Sequence, residues 1–310
     1  MNSTEPLTKS NLGGLLPMIR AAVFNLIILP WEFTRSNFFT FVVPNTMFGV
    51  LGALVPEFAA AQTPGPPSLK EVLLRFPVIL AFNWYNVLVF DLGNQYSAES
   101  IREDMLNKPW RPIPTGKVTP AWARRSLLLL IPLSMWLNYV LGVWEQAVLI
   151  PTLSYLYNDL RGSDEILRDP IISVAYAVAN TASLRIAIGG EITSEALAWA
   201  KIVSGVILTT MQVQDLKDKA GDSSRGRRTV ALLLGDTFSR VSIALFVGAW
   251  TLVCARFWGL GFVAFATPGL PALIVIRRVL FLRDTPQDDS KTWKWWCFWT
   301  VTLYSLPLLV

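Results

Sequence analysis

Apolar residues fill most of the chain in long blocks, and short polar segments rich in lysine and arginine separate them. A bilayer with a hydrocarbon core about 30 Å thick needs about 20 apolar residues per helix. The pattern predicts nine membrane-spanning helices, near 37–55, 72–96, 121–143, 145–158, 170–188, 195–216, 237–256, 259–281 and 292–310. The predicted fold is therefore all-α, a multi-pass membrane helical bundle.

The same pattern divides the chain into two parts. Residues 37–310 form the predicted transmembrane domain, and residues 1–36 form a cytoplasmic N-terminal segment. Within that segment, residues 21–31 have the composition of an interfacial helix that lies on the membrane surface. Two polar loops on one side of the bundle are expected to form a cap over an active site.

Composition supports the membrane interpretation. Charged residues make up 16% of the chain and apolar residues 53%, whereas soluble domains contain about 25% charged residues. This deficit excludes most soluble folds. The sequence contains no histidine, and its two cysteines, Cys254 and Cys297, lie inside apolar blocks. Histidine-dependent catalysis, histidine metal sites and a disulfide framework are thus excluded or disfavoured, and carboxylates must carry the chemistry.

The basic residues set the predicted orientation. With nine spans, 22 of the 27 lysine and arginine residues fall on the side of the N-terminus. The positive-inside rule makes that side cytoplasmic. Because these residues border hydrophobic blocks, we expect them to contact anionic lipid and an anionic substrate. The expected partners are the bilayer and this substrate, with no nucleic acid and no obligate protein partner.

The first polar loop, 91–116, begins at the cytoplasmic end of the second predicted helix. Asp91, Gln95, Glu99 and Glu103 are spaced by four residues. On an unbroken helix they would form one polar stripe. Ser97 is an alternative N-cap for a second, short helix, so spacing alone leaves open which carboxylates converge.

The second polar loop, 214–229, follows the sixth predicted helix. The spacing of Asp215, Asp218 and Asp222 puts three carboxylates on one helical face. Like charges this close raise one another's pKa, and a divalent cation or the adjacent lysine and arginine residues relieve this. Two acidic loops on one face, each followed by basic residues, suit a magnesium-bridged diphosphate. For either loop alone, solvated surface ion pairs are the competing interpretation.

The loops resemble those of a known family. The string Asn-Lys-Pro-Trp-Arg-Pro-Ile-Pro-Thr-Gly at 107–116, together with Asp-Lys-Ala-Gly-Asp at 218–222 and a following Gly-Arg-Arg-Thr, is similar to motifs of the UbiA superfamily of intramembrane prenyl-diphosphate enzymes. In that family an Asn-led acidic motif and an Asp-x-x-x-Asp motif bind Mg²⁺ and diphosphate. The first motif here departs from the usual form and resembles the fungal branch, which includes terpene cyclases. The resemblance implies residence in the endoplasmic reticulum.

The resemblance also implies roles for individual residues. The implied Mg²⁺ ligands are Asn94, Glu99, Glu103, Asp104, Asp215, Asp218 and Asp222, although which first-motif carboxylates bind stays open, Glu99 above all. Of these, Asn94, Asp104, Asp215, Asp218 and Asp222 are expected to be catalytic. The expected diphosphate ligands are Lys108, Arg111, Tyr155, Arg161, Lys219, Arg225 and Arg228.

The function predicted first is a Mg²⁺-dependent terpene cyclase acting on an allylic diphosphate such as farnesyl or geranylgeranyl diphosphate. A prenyltransferase with an aromatic or polyketide acceptor is the alternative. Asparagines within the membrane blocks, Asn25, Asn45, Asn83, Asn86 and Asn138, motivate a third possibility, a transporter or channel.

Aromatic side chains could line the pocket of such an enzyme. Phe82, Trp84, Tyr85, Trp136 and Tyr139 are the candidates, because aromatic faces stabilise a carbocation. Aromatic residues are equally expected in belts that face the lipid.

Overall fold

The computed structural model describes residues 24–61, 65–283 and 285–310. Within these ranges all the regular secondary structure is helical. The β pairing is limited to an isolated bridge between Ala59 and Ile192. The all-α prediction is confirmed.

Thirteen α-helices are described. They are α1 Leu29–Asn37, α2 Val43–Gly52, α3 Leu69–Gln95, α4 Ala98–Asn107, α5 Pro120–Val140, α6 Trp144–Asn158, α7 Arg168–Ile188, α8 Ser194–Thr210, α9 Lys219–Arg225, α10 Val230–Leu233, α11 Asp236–Phe257, α12 Phe262–Phe281 and α13 Pro286–Tyr304. A π-helical turn at Phe38–Val42 joins α1 to α2, and another at Phe24–Ile28 precedes α1, so residues 24–52 form one continuous helical rod. Short 3₁₀ helices lie at Pro56–Phe58, Gly162–Asp164, Met211–Lys217 and Leu306–Leu309.

Five helical segments are long and apolar enough to cross a bilayer. They are Leu69–Gln95, Arg168–Ile188, Ser194–Lys217, Asp236–Phe257 and Phe262–Phe281. The prediction of nine spans is therefore supported for five and stays a prediction for the others. The helical rod continues through the predicted boundary at 36/37 without a break. Of the expected interfacial helix at 21–31, residues 21–23 lie outside the described residues and the remainder is helical.

Local capping explains where the helices near the first polar loop begin and end. Ser68 and Glu71 form a reciprocal capping box at the start of α3. At the other end α3 stops at Gln95, and the Ser97 side chain accepts a hydrogen bond from the Ser100 N–H to start α4. The unbroken polar stripe considered from spacing is therefore wrong, because Ser97 stabilises a new helix start.

The helices α2, α3 and α7 pack around the centre of the bundle. The approach of α2 to α7 is close at Gly49, where an added Cβ would lie 2.6 Å from the Ser183 carbonyl carbon. Only glycine allows this contact. Other residues of the same three helices, among them Asn45, Phe82 and Tyr176, line a cavity.

A proline shapes the wall of this cavity. Pro44 has no N–H, so it cannot donate the helical hydrogen bond to the Thr40 carbonyl four residues earlier. The Tyr176 hydroxyl from α7 donates to that carbonyl at 2.5 Å instead. This hydrogen bond satisfies a buried acceptor and fixes the Tyr176 ring against the rod.

Candidate functional site

A deep cavity lies between the helical rod and helices α3, α6 and α7. Its empty volume is about 1210 Å³, including the open mouth. Both Asn94, near the end of α3, and Phe82, deeper in the same helix, line it. Twelve residues of helix separate them, so the cavity is ~18 Å deep along α3.

The two predicted loops meet at the mouth of this cavity. The polar residues that line it are Asn37, Asn94, Glu103, Lys108, Arg111, Arg168, Gln214, Asp215, Lys217, Asp218, Asp222 and Arg227. They come from both polar loops, apart from Arg168 at the start of α7 and Asn37 at the end of α1. Acidic groups distant in sequence thus face one volume.

The second loop is not a single α-helix. Asp215 lies in the 3₁₀ helix Met211–Lys217, and Asp218 precedes the first residue of α9. Asp222 lies in the first turn of α9. The prediction that these carboxylates share one α-helical face is therefore wrong, because the helix type changes at Asp218. All three nevertheless line the cavity.

An asparagine bridge holds the two loops together. The Asn107 side-chain Nδ2 donates to the Asp218 carbonyl at 3.0 Å, and its Oδ1 accepts from the Gly221 N–H at 3.1 Å. A Cβ added to Gly221 would lie 2.2 Å from Asn107 Nδ2. Glycine at 221 is thus required for the Asn107 side chain to occupy this bridging position.

We expect Gly221→Ala to lower the rate of substrate turnover about 10- to 100-fold, or about 1.4–2.7 kcal/mol, because the added methyl group breaks the Asn107 bridge and moves α9 away from α4. The matched control is Gly248→Ala in α11, where a new Cβ would meet only Ile276 at 3.8 Å. Turnover of the prenyl diphosphate expected from the sequence, and thermal unfolding in detergent, would be measured for both. A wild-type rate in Gly221→Ala would show that the bridge does not position the loops.

The acids of the mouth are paired with arginines. Arg111 binds both oxygens of Asp104 at 2.8 Å, and Arg168 contacts Asp215 at 2.7 Å. Glu103 lies between Arg225 and Arg227, at 3.1 Å from each. Such pairing offsets the free-energy cost of removing these charges from water at the end of an apolar bundle.

Asp218 is paired with lysines rather than arginines. Lys217 contacts its carboxylate directly, and Lys108 lies 3.8 Å away. Lys217 also lies 4.4 Å above the ring of Trp293. Burial alone would raise the pKa of Asp218, but Lys108 and Lys217 outweigh it and hold the pKa below its ordinary value. Asp218 is therefore ionised at neutral pH.

Asp222 shows the opposite shift. Burial raises its pKa, and the nearby Glu103 and Asp218 carboxylates add to the rise, while Arg227 at 3.0 Å and Arg168 oppose it. Mutual repulsion among the acids, which the spacing predicted, thus contributes to this shift.

The residues of the mouth fit magnesium in their chemistry. Carboxylate and amide oxygens are the ligands that Mg²⁺ takes in proteins, and Asp215, Asp218 and Asp222 line one cavity. In the part of the chain that the structure describes, no three acidic or cysteine side chains form a group spaced for a metal ion, since basic side chains lie between the acids. Metal binding would require exchange of those partners.

Seven of the residues predicted for the site line the cavity. They are Asn94, Glu103, Lys108, Arg111, Asp215, Asp218 and Asp222. Two more lie directly behind the lining: Asp104 binds Arg111, and Arg225 joins Glu103 to Asp164.

The other five predicted residues lie away from the cavity lining. Four of them are paired with other charged groups, and the fifth, Tyr155, is exposed. Arg161 binds Asp164 at 2.7 Å, Lys219 binds Asp236 at 2.5 Å, Arg228 binds Glu165 at 3.4 Å, and Glu99 binds Arg102 at 3.5 Å.

Several lining residues were missed in the sequence. The sequence analysis chose Arg228 as a diphosphate ligand, but its neighbour Arg227 lines the cavity. The direction of two adjacent side chains depends on the geometry of the turn, which the sequence pattern does not give. Arg168 could have been recognised from the sequence, because it is a charged residue at the start of an apolar helix. Asn37 could not, since it lies outside both loops; its Nδ2 donates to the buried Asp91 at 2.6 Å.

Below the mouth the cavity is largely apolar and aromatic. The aromatic residues that line the cavity are Phe41, Phe82, Phe90, Tyr157 and Tyr176, together with Trp293 beneath Lys217 at the mouth. Of the candidates from sequence, Phe82 is among them, whereas Trp136 and Tyr139 are 58% and 64% exposed on the outside of α5. Trp84 donates to Thr34, and Tyr85 donates to Asn138. The exposed rings of Trp136 and Tyr139 therefore fit an aromatic belt that faces the lipid better than a role in the cavity.

Comparisons with known proteins agree with this architecture. A profile of the UbiA prenyltransferase family matches residues 46–299. Fumagillin beta-trans-bergamotene synthase af520 of Aspergillus fumigatus is 26% identical over 265 residues, which cover 83% of this chain and 87% of that protein. Diterpene cyclase eriG of Hericium erinaceus is 28% identical over 275 residues, which cover 86% and 83%. A UbiA homologue from Archaeoglobus fulgidus bound to DMAPP and Mg²⁺ shares the fold, with a TM-score of 0.57 and 12% identity over 91% of this chain and all of that one.

Proposed function

The chain belongs to the UbiA prenyltransferase family, and on that premise we propose that it is a Mg²⁺-dependent integral membrane terpene cyclase. Its substrate is an allylic prenyl diphosphate such as farnesyl or geranylgeranyl diphosphate. One observation carries the proposal: acids and bases surround the mouth of a cavity whose interior is apolar and aromatic. A diphosphate suits such a mouth, and a prenyl chain suits such an interior. Two similar proteins are named a terpene synthase and a diterpene cyclase.

The mouth residues divide into two roles. Lys108, Arg111 and Lys217 are placed to bind diphosphate oxygens. The residues that would hold Mg²⁺ are Asn94, Glu103, Asp215, Asp218 and Asp222. When bound, Mg²⁺ supplies positive charge that stabilises the leaving diphosphate. Support for this ion comes from the donor atoms and from the solved UbiA homologue bound to Mg²⁺.

The interior residues then govern the hydrocarbon. The allylic C–O bond breaks and its electron pair stays with the diphosphate, which leaves a carbocation on the chain. Double bonds of the same chain attack this cation, and the final cation loses a proton to the released diphosphate. Phe41, Phe82 and Tyr176 line the cavity, and an aromatic ring that faces the cation can stabilise it by about 0.5–2 kcal/mol. The apolar walls exclude water that would otherwise trap it.

A prenyltransferase is the second candidate, because the matching family is named for prenyl transfer. The two activities share the ionisation step and differ in whether an added acceptor captures the cation. A transporter is less well supported, since the charged residues that line the described cavity gather at its mouth and form no path through the bundle.

The proposed membrane topology has nine spans with the mouth facing the cytoplasm, in the endoplasmic reticulum. Five helices already meet the length and composition of a span. The basic residues at the mouth, such as Lys108, Arg168 and Lys217, belong to the side that carries 22 of the 27 basic residues. The positive-inside rule supports this orientation.

The proposal is tested with purified protein in detergent, Mg²⁺ and farnesyl or geranylgeranyl diphosphate, without any acceptor. We expect a cyclic terpene hydrocarbon in the organic extract and an equal amount of released diphosphate. A prenylated product that forms only when an aromatic acceptor is added would overturn cyclisation in favour of transfer. If neither a cyclic terpene nor a prenylated product forms from either substrate, both enzyme assignments are contradicted.

A further inference from the structure

Asp91 is a fully buried carboxylate to which the proposed chemistry gives no role. It lies one turn before the end of α3, outside the cavity lining. Its Oδ1 accepts a hydrogen bond from Asn37 at 2.6 Å, and its Oδ2 has no partner among the described residues. A buried charge with so few partners lowers the stability of a fold, so its presence is best explained by a function.

The contact with Asp91 determines how the Asn37 amide is turned. Carboxylate oxygens only accept hydrogen bonds, so the Asn37 atom that meets Asp91 is its nitrogen. The Asn37 oxygen accepts no hydrogen bond from the described residues and, unlike Asp91 Oδ2, it keeps accessible surface. Because Asn37 lines the mouth of the cavity, the free end of this amide is the negative one.

Asn37 lies close to the groups that are placed to bind diphosphate. Arg111 Nη2 donates to the hydroxyl of the preceding residue, Ser36, at 3.2 Å. Arg111 and Lys108 are also near enough to attract the Asp91 carboxylate electrostatically. The Asn37 oxygen therefore belongs to the charged part of the cavity and not to its apolar interior.

Two polar residues of α3 hold the rod at this point. Asp91 binds Asn37, and Gln95, one turn later, donates to the Phe33 carbonyl at 3.0 Å. The π-helical turn Phe38–Val42 begins directly after Asn37, and such turns are frequent at functional sites. The rod is thus fixed against α3 where it contributes to the mouth.

The loaded site offers the Asn37 oxygen few possible partners. Diphosphate oxygens are acceptors themselves and would repel it, and a prenyl chain has no N–H or O–H to donate. Mg²⁺ takes amide oxygens as ligands. We propose that Asn37 supplies an additional oxygen ligand for Mg²⁺ from outside both acidic loops, and that Asp91 is the positioning residue that turns this oxygen to the mouth. This inference rests on the proposed Mg²⁺-dependent function.

The experiment measures binding rather than turnover. The magnesium complex of inorganic diphosphate is titrated into the purified protein in detergent, and calorimetry gives its Kd. We expect Asn37→Leu and Asp91→Leu each to raise this Kd about tenfold. The double variant should show no further loss, because Asp91 acts through Asn37. Asn25→Leu is the matched control, since Asn25 is an exposed amide of the same rod outside the cavity lining, and its Kd should stay unchanged.

A second variant separates a ligand from a purely structural contact. Asn37→Asp combined with Asp91→Asn exchanges the amide and the carboxylate, so the hydrogen bond and the total charge are kept. One carboxylate oxygen at position 37 then faces the mouth, and Mg²⁺ binds a carboxylate more strongly than an amide. We expect the magnesium complex to bind at least about threefold more tightly. This variant also decides the question if a leucine variant does not fold.

Each result decides one point. An unchanged Kd in Asn37→Leu, or equal or weaker binding in the exchange variant, would overturn the role of Asn37. Additive losses in the double leucine variant would overturn the positioning role of Asp91. A wild type that binds diphosphate equally well with Mg²⁺ and with EDTA would refute the Mg²⁺ dependence and the inference with it. A wild type that needs Mg²⁺ to bind diphosphate but forms no cyclic terpene would refute only the cyclase assignment.

Discussion

Asp218→Ala and Asp222→Ala are each expected to lower the rate of diphosphate release by at least ~10³-fold, or about 4 kcal/mol. Asp218 is ionised, because Lys108 and Lys217 hold its pKa below the ordinary value. It also lies where the second loop changes from 3₁₀ to α-helix, beside the Asn107 bridge. Alanine at either position removes oxygens that would hold the metal and leaves positive charge without its partner.

The matched control for these variants is Asp159→Ala. Asp159 lies at the same end of the bundle, is exposed, and accepts a hydrogen bond from the Tyr96 hydroxyl at 2.8 Å, outside the cavity lining. We expect it to keep its rate, and thermal unfolding would show whether all three variants fold. A rate within about threefold of wild type in Asp218→Ala would remove this residue from the proposed metal site.

Removal of magnesium is expected to abolish turnover completely. The basic residues of the mouth are already engaged: Arg111 with Asp104, Arg168 with Asp215, and Arg227 with Asp222. A diphosphate adds several negative charges to a mouth that is close to neutral by itself. Divalent cations are the natural source of the missing positive charge.

The measurement is diphosphate release after chelation with EDTA, followed by return of Mg²⁺ or Ca²⁺. Mg²⁺ is expected to restore the full rate. Ca²⁺ is expected to restore little, because it prefers ligand distances of about 2.3–2.6 Å rather than 2.0–2.1 Å. Mg²⁺ and diphosphate together should also raise the unfolding temperature of the wild type more than that of Asp218→Ala. Undiminished turnover in EDTA would refute the metal assignment.

Much of the fold follows from the lengths of the apolar blocks. The predicted segments 72–96 and 145–158 match α3 Leu69–Gln95 and α6 Trp144–Asn158 closely. The first predicted span, 37–55, begins inside a longer helical rod, whose apolar pattern is interrupted at Glu32 and Arg35. The helix continues through them to the π-helical turn at Phe38–Val42.

The candidate site was predictable only in part. Acidic residues in two loops on one face indicated where charge gathers, because buried charge requires a use or a partner. Which basic side chains face the cavity depends on turns that periodicity does not describe, as Arg227 and Arg228 illustrate. Residues contributed by other helices, such as Asn37 and Arg168, depend on tertiary packing.

The Asn107 bridge has a consequence for how this mouth withstands its surroundings. An amide neither gains nor loses a proton in the range where carboxylates do, and ions in solution screen charges but not a neutral hydrogen bond of this kind. Acid or high salt would therefore weaken the ion pairs that Glu103 makes with Arg225 and Arg227 across the two loops, while the Asn107 hydrogen bonds persist. Because the Asn107 bridge is uncharged, this contact between the two loops survives conditions that abolish activity.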